Sequence, residues 1–372
     1  MKVGVVCYPT YGGSGVVATE LGLGLAEKGH QVHFITYTQP ARMNTLNENV
    51  FYHEVGIGKY PLFEHPPYVL ALSSTLVNVV KFEKLDLLHV HYAIPHAAAA
   101  YLAKQILISE GIDIPFVTTL HGTDITLVGK DKSYKPVVEF SMNQSDAVTT
   151  VSESLKRETF EFFNIKKSID VVPNFIDLQK FKKEKKDHFR NAICTNNEKL
   201  LIHISNFRKV KRVDDVVRIF EKIRQKMPAK LLMIGDGPER RNVEALCREL
   251  GTCEDIRFLG KISEVTEVLS VCDLFLMPSE KESFGLAALE AFACQVPVIC
   301  SDVGGLPELV EHNVSGMISP VGDVDSMAKD ALMILSDQKL HDKFRKEALS
   351  RAKAFDIERV LPMYEQIYQS VL

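Results

Sequence analysis

The sequence predicts an α/β protein with two domains, each built on a parallel sheet that helices cover. Short apolar segments alternate with longer amphipathic segments along all 372 residues. The short segments are apolar on both faces, as the strands of a buried parallel sheet are. The alternation occurs twice, and a chain of this length has room for two domains of roughly 100–200 residues each. We therefore expect two Rossmann-like domains of similar size.

The predicted strands fall into two sets, one in each half of the chain. The first set is 3–7, 32–36, 87–90, 116–119, 147–151 and 169–172, and the second is 200–204, 230–234, 256–258, 274–277, 296–300 and 316–318. Helical patterns between them include 15–28, 97–110, 213–225, 239–250 and 326–335. A Pro-Asn-Phe-Ile-Asp segment at 173–177, followed by a lysine-rich segment at 180–187, indicates a hinge between the two sets. Ligands of such sheets bind at the carboxyl ends of the strands.

Composition and charge exclude several classes of protein. Hydrophobic residues make up 46% of the chain and charged residues 25%, which is typical of a folded globular protein rather than a disordered or fibrous one. The net charge of −4 gives no basic field that would attract nucleic acid. No apolar run approaches the ~20 residues that a membrane-spanning helix needs. The seven cysteines are scattered without a C-x-x-C pair, so we expect reduced thiols in a cytoplasmic protein.

A glycine-rich loop follows the first strand and matches the dinucleotide pattern G-x-G-x-x-A at 13–18. Two features disfavour NAD: the turn after the strand is too long, and the second strand ends in Thr36-Tyr37-Thr38 with no acid for a ribose. Glycines still allow a ligand to approach the backbone, and a helix beginning near Gly15 favours an anion. We expect a phosphate or carboxylate here, the alternative being an ordinary strand-to-helix turn.

A pair of carboxylates marks the second half of the chain. Every residue from Leu286 to Cys294 except Glu290 is apolar, so this predicted helix has no polar face and a charge on it needs a partner. Glu282 lies eight positions earlier, in the loop before the helix. A carboxylate can accept hydrogen bonds from two vicinal hydroxyls, so Glu282 and Glu290 are candidate ligands of a sugar and a ribose. Glu280 is expected to be solvated.

This Glu282-x7-Glu290 pattern, with Phe284-Gly285 between, resembles the E-x7-E motif of the retaining, GT-B-fold glycosyltransferases of family 4. Further matches to that family are GGSG at 12–15, DLLHVH at 86–91, GDGPE at 235–239 and GGLPE at 304–308. The resemblance covers nearly the whole chain and implies two Rossmann-like domains facing across a cleft. It implies an acceptor-binding domain at 1–174, a UDP-sugar-binding domain at 175–356, and a last segment, 357–372, that packs back on the first domain.

The resemblance also implies which residues bind the donor. They are Gly15, Asn206, Arg208, Lys211, Gly235, Gly237, Glu282, Phe284, Gly285, Leu286 and Glu290. We expect Lys211, His121 and Glu282 to act in catalysis, with Lys211 on the diphosphate, whose charge grows as the glycosidic bond breaks. His121 is expected beside the transferred sugar. The family commonly has Arg and Lys five positions apart in this basic loop, where this chain has Asn206 and Lys211, and Arg208 is a candidate for the missing charge.

No metal and no cofactor are expected. His89 and His91 would lie on one face of a strand, but no H-x-x-E-H pattern or further clustered carboxylate completes a ligand set. Asp323-Val324-Asp325 resembles the metal motif of the other glycosyltransferase fold. It precedes Ser326 and indicates a helix start, where acids are favoured.

The motif match is tightest at 7–9, 121–124, 205–212 and 279–285 with family members of bacillithiol biosynthesis. This closer resemblance implies transfer of N-acetylglucosamine from UDP to the hydroxyl of L-malate. Acceptor contacts are expected from Ser14, Tyr92 and Thr119, each of which also fits an ordinary loop or strand-end role. The alternatives are a UDP-N-acetylglucosamine 2-epimerase, a family 4 transferase with another small acceptor such as inositol phosphate, and a sugar-nucleotide sensor. A homo-oligomer is left open.

Overall fold

Two parallel sheets organise the chain, and each belongs to its own structural unit. The computed structural model describes residues 1–10, 12–43, 46–56, 67–128, 131–262 and 264–372. Unit 1 comprises Met1–Asn174 and Ile357–Leu372, and unit 2 comprises Phe175–Asp356. All the strand pairs of both sheets are parallel. The predicted fold class, α/β with a parallel sheet in each half, is confirmed.

Unit 1 contains a seven-stranded sheet in the order β3-β2-β1-β4-β5-β6-β7. Its strands are β1 Lys2–Val6, β2 Gln31–Thr36, β3 Val50–Glu54, β4 Leu87–His91, β5 Phe116–Leu120, β6 Ala147–Thr150 and β7 Ile169–Val171. Its helices are α1 Ser14–Glu27, α2 Tyr68–Glu83, α3 Ala98–Ser109, α4 Lys135–Gln144, α5 Glu153–Phe162 and, from the end of the chain, α14 Ile357–Val371. The strand order reverses between β1 and β4, which makes that position the switch point of the sheet.

Helices cover both faces of this sheet. Helix α1 is apolar on nearly every side and buried from Gly15 to Ala26, because it lies between the sheet and α14. Glycines allow this close packing: a Cβ at Gly22 would lie 2.4 Å from the Phe34 ring, and one at Gly24 would lie 2.7 Å from Ile357. On the other face, α2 and α3 share a buried apolar cluster with the sheet.

Unit 2 contains a six-stranded sheet in the order β10-β9-β8-β11-β12-β13. Its strands are β8 Lys199–Ile204, β9 Ala229–Ile234, β10 Ile256–Gly260, β11 Leu274–Met277, β12 Val298–Ser301 and β13 Gly316–Ser319. Its helices are α6 Asp187–Ile193, α7 Val213–Arg224, α8 Arg240–Glu249, α9 Thr266–Val271, α10 Leu286–Ala293, α11 Leu306–Leu309, α12 Val324–Ser336 and α13 Gln338–Lys353. The switch point of this sheet lies between β8 and β11. Among the described residues, no helix combines the length and the apolar character that crossing a membrane requires.

The edge strand β3 was not predicted. Every other strand lies within two residues of its predicted bounds, but Val50-Phe51-Tyr52-His53-Glu54 lacks the continuous apolar pattern of a central strand. Because β3 pairs only with β2, its side chains are mostly half-buried or exposed. The composition of a strand follows its burial more than its backbone.

One pair of cysteines corrects the expectation that every thiol is reduced. Cys247 and Cys253 are paired in a disulfide bond, with Cα atoms 5.2 Å apart. Cys247 lies in the last turn of α8, and a short helical turn at Cys253–Asp255 returns the chain towards it. A C-x-x-C pattern does not reveal this pair, whose cysteines are six positions apart. The other five cysteines are buried and free.

Candidate functional site

Apart from Leu286 and Glu290, which lie on α10, the site residues predicted in unit 2 follow the carboxyl ends of neighbouring strands. Asn206 and Lys211 follow β8, Gly235 follows β9, Glu282 follows β11, and the Gly304 loop follows β12. Strands β8 and β11 flank the switch point, where the loops on either side diverge and leave a crevice for a ligand. The strand order therefore brings together residues that are far apart in the sequence.

Lys211 and Glu282 form an ion pair at this crevice. Nζ of Lys211 donates to Oε1 of Glu282, and Ser279 Oγ donates to the same oxygen at 3.3 Å. The side chains of Lys211 and Glu282 are only 20% and 12% exposed. The backbone joins the same two loops, because the Glu280 N–H donates to the Val210 carbonyl at 2.8 Å. The cation and the carboxylate that the motifs predicted separately are direct partners.

Two glycines support the loop that carries Glu282. The N–H of Gly305 donates to the Glu282 carbonyl at 3.0 Å. A Cβ at Gly304 would lie 1.8 Å from that carbonyl oxygen, and a Cβ at Gly305 would lie 2.4 Å from the Ser283 carbonyl oxygen. Gly304 also has a φ of +54°, which favours glycine. The GGLPE motif therefore contributes a flat backbone surface on which the carboxylate loop rests.

Gly235 and Gly237 support the basic loop that contains Asn206 and Lys211 in the same way. A Cβ at Gly235 would lie 1.7 Å from the Ser205 carbonyl oxygen, and one at Gly237 would lie 2.1 Å from the Asn206 carbonyl oxygen. The side chains of Asn206 and Arg208 are exposed. The structure gives these two glycines a packing role against the loop that precedes Lys211, and their contact with the donor stays a prediction.

The helix α10 carries the second carboxylate. Gly285, with a φ of +101°, turns the chain into the helix, and the buried Phe284 ring packs edge-on against Phe355 with centroids 5.4 Å apart. Leu286 is the first residue of α10, and Glu290 lies among its buried residues. Burial, with a contribution from the neighbouring Glu290 carboxylate, raises the pKa of the Cys294 thiol to about 12. Glu290 thus occupies the apolar surroundings that the sequence predicted.

In unit 1, Ser14 and Tyr92 are brought together at the switch point between β1 and β4. Ser14 Oγ and the Tyr92 hydroxyl are hydrogen-bonded at 2.6 Å. Ser14 is also the first residue of α1, whose first-turn N–H groups lack partners within the helix. Gly15 packs against Tyr8, in the loop that follows β1, since a Cβ at Gly15 would lie 2.4 Å from the Tyr8 carbonyl oxygen.

His121 lies at the carboxyl end of β5, next to β4. Its Nε2 is 2.8 Å from Nδ1 of His91, and the two rings stack at 21°. Burial lowers the pKa of His121 to about 3, so the ring is neutral at physiological pH. It can donate or accept a hydrogen bond there, but it offers no positive charge.

Asp124 is a buried acid beside His121 that was not among the predicted site residues. Its carboxylate accepts from the N–H groups of Ala93 and Gly122, each at 3.1 Å, and so ties the loop after β4 to the loop after β5. Burial raises the pKa of Asp124 to about 6. The signal was available, because an acid directly before the apolar Ile125 in the His121-Gly122-Thr123-Asp124 motif is costly to bury without partners.

Thr119, which was predicted to contact the acceptor, has a hydroxyl that is hydrogen-bonded within the sheet. The residue is fully buried, and its hydroxyl lies 2.7 Å from both His89 Nε2 and Thr149 Oγ1. His89 Nδ1 in turn lies 2.7 Å from the hydroxyl of Tyr368 on α14. This network holds the sheet to α14 and gives Thr119 a structural role, whereas its contact with the acceptor stays a prediction.

The predicted helix start at Asp323 is confirmed. The Asp323 carboxylate accepts from the Ser326 N–H at 3.0 Å and caps α12. A capping acid of this kind stabilises the exposed N–H groups of the first turn. Asp323 therefore acts as a helix cap, and Asp325 forms an ion pair with Lys222 at 2.8 Å.

Comparisons with known proteins agree with this arrangement. The family model described as Glycosyltransferase Family 4 matches residues 11–180, and the model described as Glycosyl transferases group 1 matches residues 184–351. The chain is 48% identical over 374 residues to N-acetyl-alpha-D-glucosaminyl L-malate synthase of Bacillus anthracis, covering 100% of this chain and 97% of that relative. It is 26% identical over 346 residues to D-inositol 3-phosphate glycosyltransferase of Mycobacterium marinum, covering 85% and 72%.

A solved structure gives the same result for the fold. HepE of Anabaena, in complex with UDP and glucose, matches with a TM-score of 0.84 at 18% identity over 100% of both chains. At that identity the match supports the fold alone. The relationship to the malate synthase, which spans both matched family regions, is much closer. The chain therefore belongs to the family 4 glycosyltransferases.

Proposed function

We propose that this chain transfers N-acetylglucosamine from UDP-N-acetylglucosamine to the hydroxyl of L-malate, with retention at the anomeric carbon. The observation that carries this proposal is the 48% identity to the Bacillus anthracis malate synthase over the full length of the chain. The 26% identity to the inositol phosphate transferase supports the class of reaction and not that acceptor.

The donor binds in unit 2. Glu290 and Glu282 accept hydrogen bonds from hydroxyls of the ribose and the sugar, and Lys211 contacts the diphosphate together with Arg208 and Asn206. The ion pair between Lys211 and Glu282 supports this assignment, because it fixes the ammonium before the donor arrives. A fixed cation stabilises the charge that grows on the leaving diphosphate more than it stabilises the bound donor.

The acceptor binds in unit 1. L-Malate carries two carboxylates, and the N–H groups at the start of α1 suit one of them. The linked hydroxyls of Ser14 and Tyr92 offer a further hydrogen bond. These groups are neutral, so they bind the acceptor without adding a cation that would compete with Lys211 for the diphosphate.

The acceptor proton goes to the leaving group. The malate oxygen bonds to the anomeric carbon on the face from which UDP departs, the bond from that carbon to the β-phosphate oxygen breaks, and this oxygen takes the hydroxyl proton. The lowered pKa of His121, about 3, supports this route, because such a ring is a weak base at neutral pH. His121 then positions the sugar through a hydrogen bond.

A product assay tests the proposal. UDP-N-acetylglucosamine is offered with L-malate, with inositol phosphate, or with no acceptor, and the products are identified by mass spectrometry. We expect glycosylated malate and UDP from the first mixture only. A product from inositol phosphate but not from malate would support a transferase with a different acceptor. Free sugar released without an acceptor would support the epimerase. UDP binding without any product would support the sensor.

The compartment and the partners of the enzyme follow from its proposed substrates. Both substrates are small cytoplasmic metabolites, so we place the reaction in the cytoplasm, with neither nucleic acid nor a membrane as partner. Whether the enzyme forms a homo-oligomer is a separate question, which light scattering on the purified protein answers.

A further inference from the structure

Two histidines and a glutamate from different elements meet on the first sheet. His33 of β2, His53 of β3 and Glu83, the last residue of α2, each place one potential ligand atom within 4.8 Å of the others. Nδ1 of His33 is 2.9 Å from Nε2 of His53, and the two rings are nearly parallel, at 17°. The strand register puts His33 opposite Phe51 and His53 opposite Ile35. Both imidazoles therefore lie on the face of the sheet that α2 covers.

The ring pair is held in place but is incompletely satisfied. In this contact one of the two nitrogens, His33 Nδ1 or His53 Nε2, carries a proton and the other accepts it. Without a metal ion, the lone pair of the accepting nitrogen therefore points at a hydrogen atom. His33 is 1% exposed, and its other nitrogen, Nε2, finds no hydrogen-bond partner in the described part of the chain. The ring of Phe51 stacks on His33 at 13°, with centroids 4.6 Å apart, which fixes the plane of this imidazole.

The carboxylate of Glu83 stands where a carboxylate is unfavourable. It ends α2, and the C-terminal end of a helix carries partial negative charge. Among the residues that the structure describes, no lysine or arginine forms an ion pair with the Glu83 carboxylate. Lys2 Nζ donates instead to the Glu83 backbone carbonyl at 2.9 Å. The cluster thus combines two neutral nitrogen donors with one carboxylate whose charge a bound cation would balance.

We propose that His33, His53 and Glu83 bind one divalent transition-metal ion of the zinc type. Two imidazoles and a carboxylate are ligands that zinc prefers, with a water in the fourth position. Ligand atoms around a tetrahedral zinc ion lie about 3.3 Å from one another when each bond is 2.0–2.1 Å. The potential ligand atoms of the three side chains lie between 2.9 Å and 4.8 Å from one another. Side-chain rotations that move these atoms by about 1 Å would give the tetrahedral spacing.

The ion would stabilise the open edge of the first sheet. Strand β3 has a neighbour on one side only, and the ion would tie it to β2 and to the end of α2. Glu83 lies near the amino ends of the strands, as its contact with Lys2 of β1 shows, whereas Ser14, Tyr92 and His121 follow the carboxyl ends. The metal is therefore structural, and it is separate from the proposed transfer reaction.

Metal binding by untagged protein tests this inference. After treatment with EDTA, the protein is dialysed against micromolar zinc chloride, and cobalt chloride serves as a spectroscopic probe of a four-coordinate site. We expect one ion per chain and a rise in the unfolding temperature, because an ion that binds only the folded state stabilises it. A wild-type protein that binds no ion under these conditions overturns the proposal.

Variants separate this site from adventitious binding. His53→Gln and Glu83→Gln alter half-buried side chains, and each should weaken zinc binding at least about tenfold, because even loss of a residue that only orients a ligand costs about 10- to 100-fold. His188→Gln, at an exposed histidine of α6, is the matched control and should bind zinc like the wild type. Equal affinity in all three variants means that the ion binds elsewhere and contradicts the proposal. The transferase rate should be the same before and after addition of zinc.

Discussion

The ammonium of Lys211 is held by the carboxylate of Glu282, which lies 71 positions later in the chain. The two residues follow β8 and β11, which are neighbours in the sheet because the strand order reverses between them. This pair joins the proposed diphosphate contact to the proposed sugar contact. A change at either residue should therefore affect both parts of the donor.

Replacing Lys211 with methionine should lower turnover while the fold survives. The substitution keeps the length of the side chain but removes the charge that stabilises the leaving diphosphate, and removal of one such group costs roughly 100- to 1,000-fold in kcat. Lys209→Met is the control, because Lys209 is an exposed residue of the same short helical turn. A loss of turnover below about threefold, on steady-state kinetics of both variants, would show that Lys211 pairs with Glu282 without stabilising the leaving diphosphate.

Replacing Glu290 with glutamine should weaken UDP binding about tenfold or more. Glutamine keeps the shape but loses the ionised acceptor, and hydrogen bonds to a charged group contribute about 1.5–3 kcal/mol. Isothermal titration calorimetry with UDP measures the effect. Glu280→Gln, at an exposed residue just before the same helix, should leave the affinity unchanged. Wild-type affinity in the Glu290 variant would remove this residue from the donor site.

A single methyl group at Gly304 should displace the Glu282 loop. Alanine there would place its Cβ 1.8 Å from the Glu282 carbonyl oxygen at a φ of +54°, so the loop must move and donor affinity should fall. Gly29→Ala is a matched control, because Gly29 has a φ of +86° but nothing within 4 Å of the added Cβ. Both variants carry the backbone cost of about 1 kcal/mol. Equal donor affinity in the two would contradict the supporting role of Gly304.

Tyr92→Phe should raise the KM for malate and leave the KM for the donor unchanged. The substitution removes the hydroxyl that Ser14 holds at 2.6 Å and nothing else. Loss of one neutral hydrogen bond of about 1 kcal/mol predicts an increase of about fivefold. Tyr134→Phe, at a tyrosine 50% exposed, is the control. If the malate KM of Tyr92→Phe matches that of the control, the acceptor does not contact this hydroxyl.

Buried histidines should make the protein sensitive to acid. Burial lowers the pKa of His89 to about 3 and those of His96 and His203 to about 4. Unfolded histidine has a pKa near 6.5, so between these values the unfolded state binds more protons than the native state. Stability is then fully present above about pH 6.5 and is lost as the pH falls towards 4.

Asp124 has the opposite effect on the pH dependence of stability, but it is one group against three histidines. Its pKa is raised to about 6, so the native state binds the extra proton between about pH 4 and 6, and this single group favours folding there. The three histidines outweigh it, since each pKa unit is worth about 1.4 kcal/mol. Urea unfolding should give a lower free energy of unfolding at pH 5.0 than at pH 7.5. An equal or higher value at pH 5.0 would contradict the assignment.

Much of the fold could be predicted because buried parallel strands have a plain apolar signature. The same signature fails for β3, whose residues Phe51 and Glu54 are exposed at an edge. Lys211 and Glu282 could each be identified from their motifs, but their pairing depends on strand order, which a single sequence does not contain. The position of Thr119 at the end of a strand does not reveal that the residue is fully buried.

The helix α14 places the two ends of the chain in one core. Tyr364 and Tyr368 are fully buried in unit 1, and Tyr368 completes the hydrogen-bond network of His89. Unit 1 therefore cannot finish its core until the last helix has been synthesised, whereas the continuous unit 2 can fold earlier, as domains generally do during synthesis. We therefore expect unit 2 to complete its core before unit 1 does, although unit 2 comes second in the sequence.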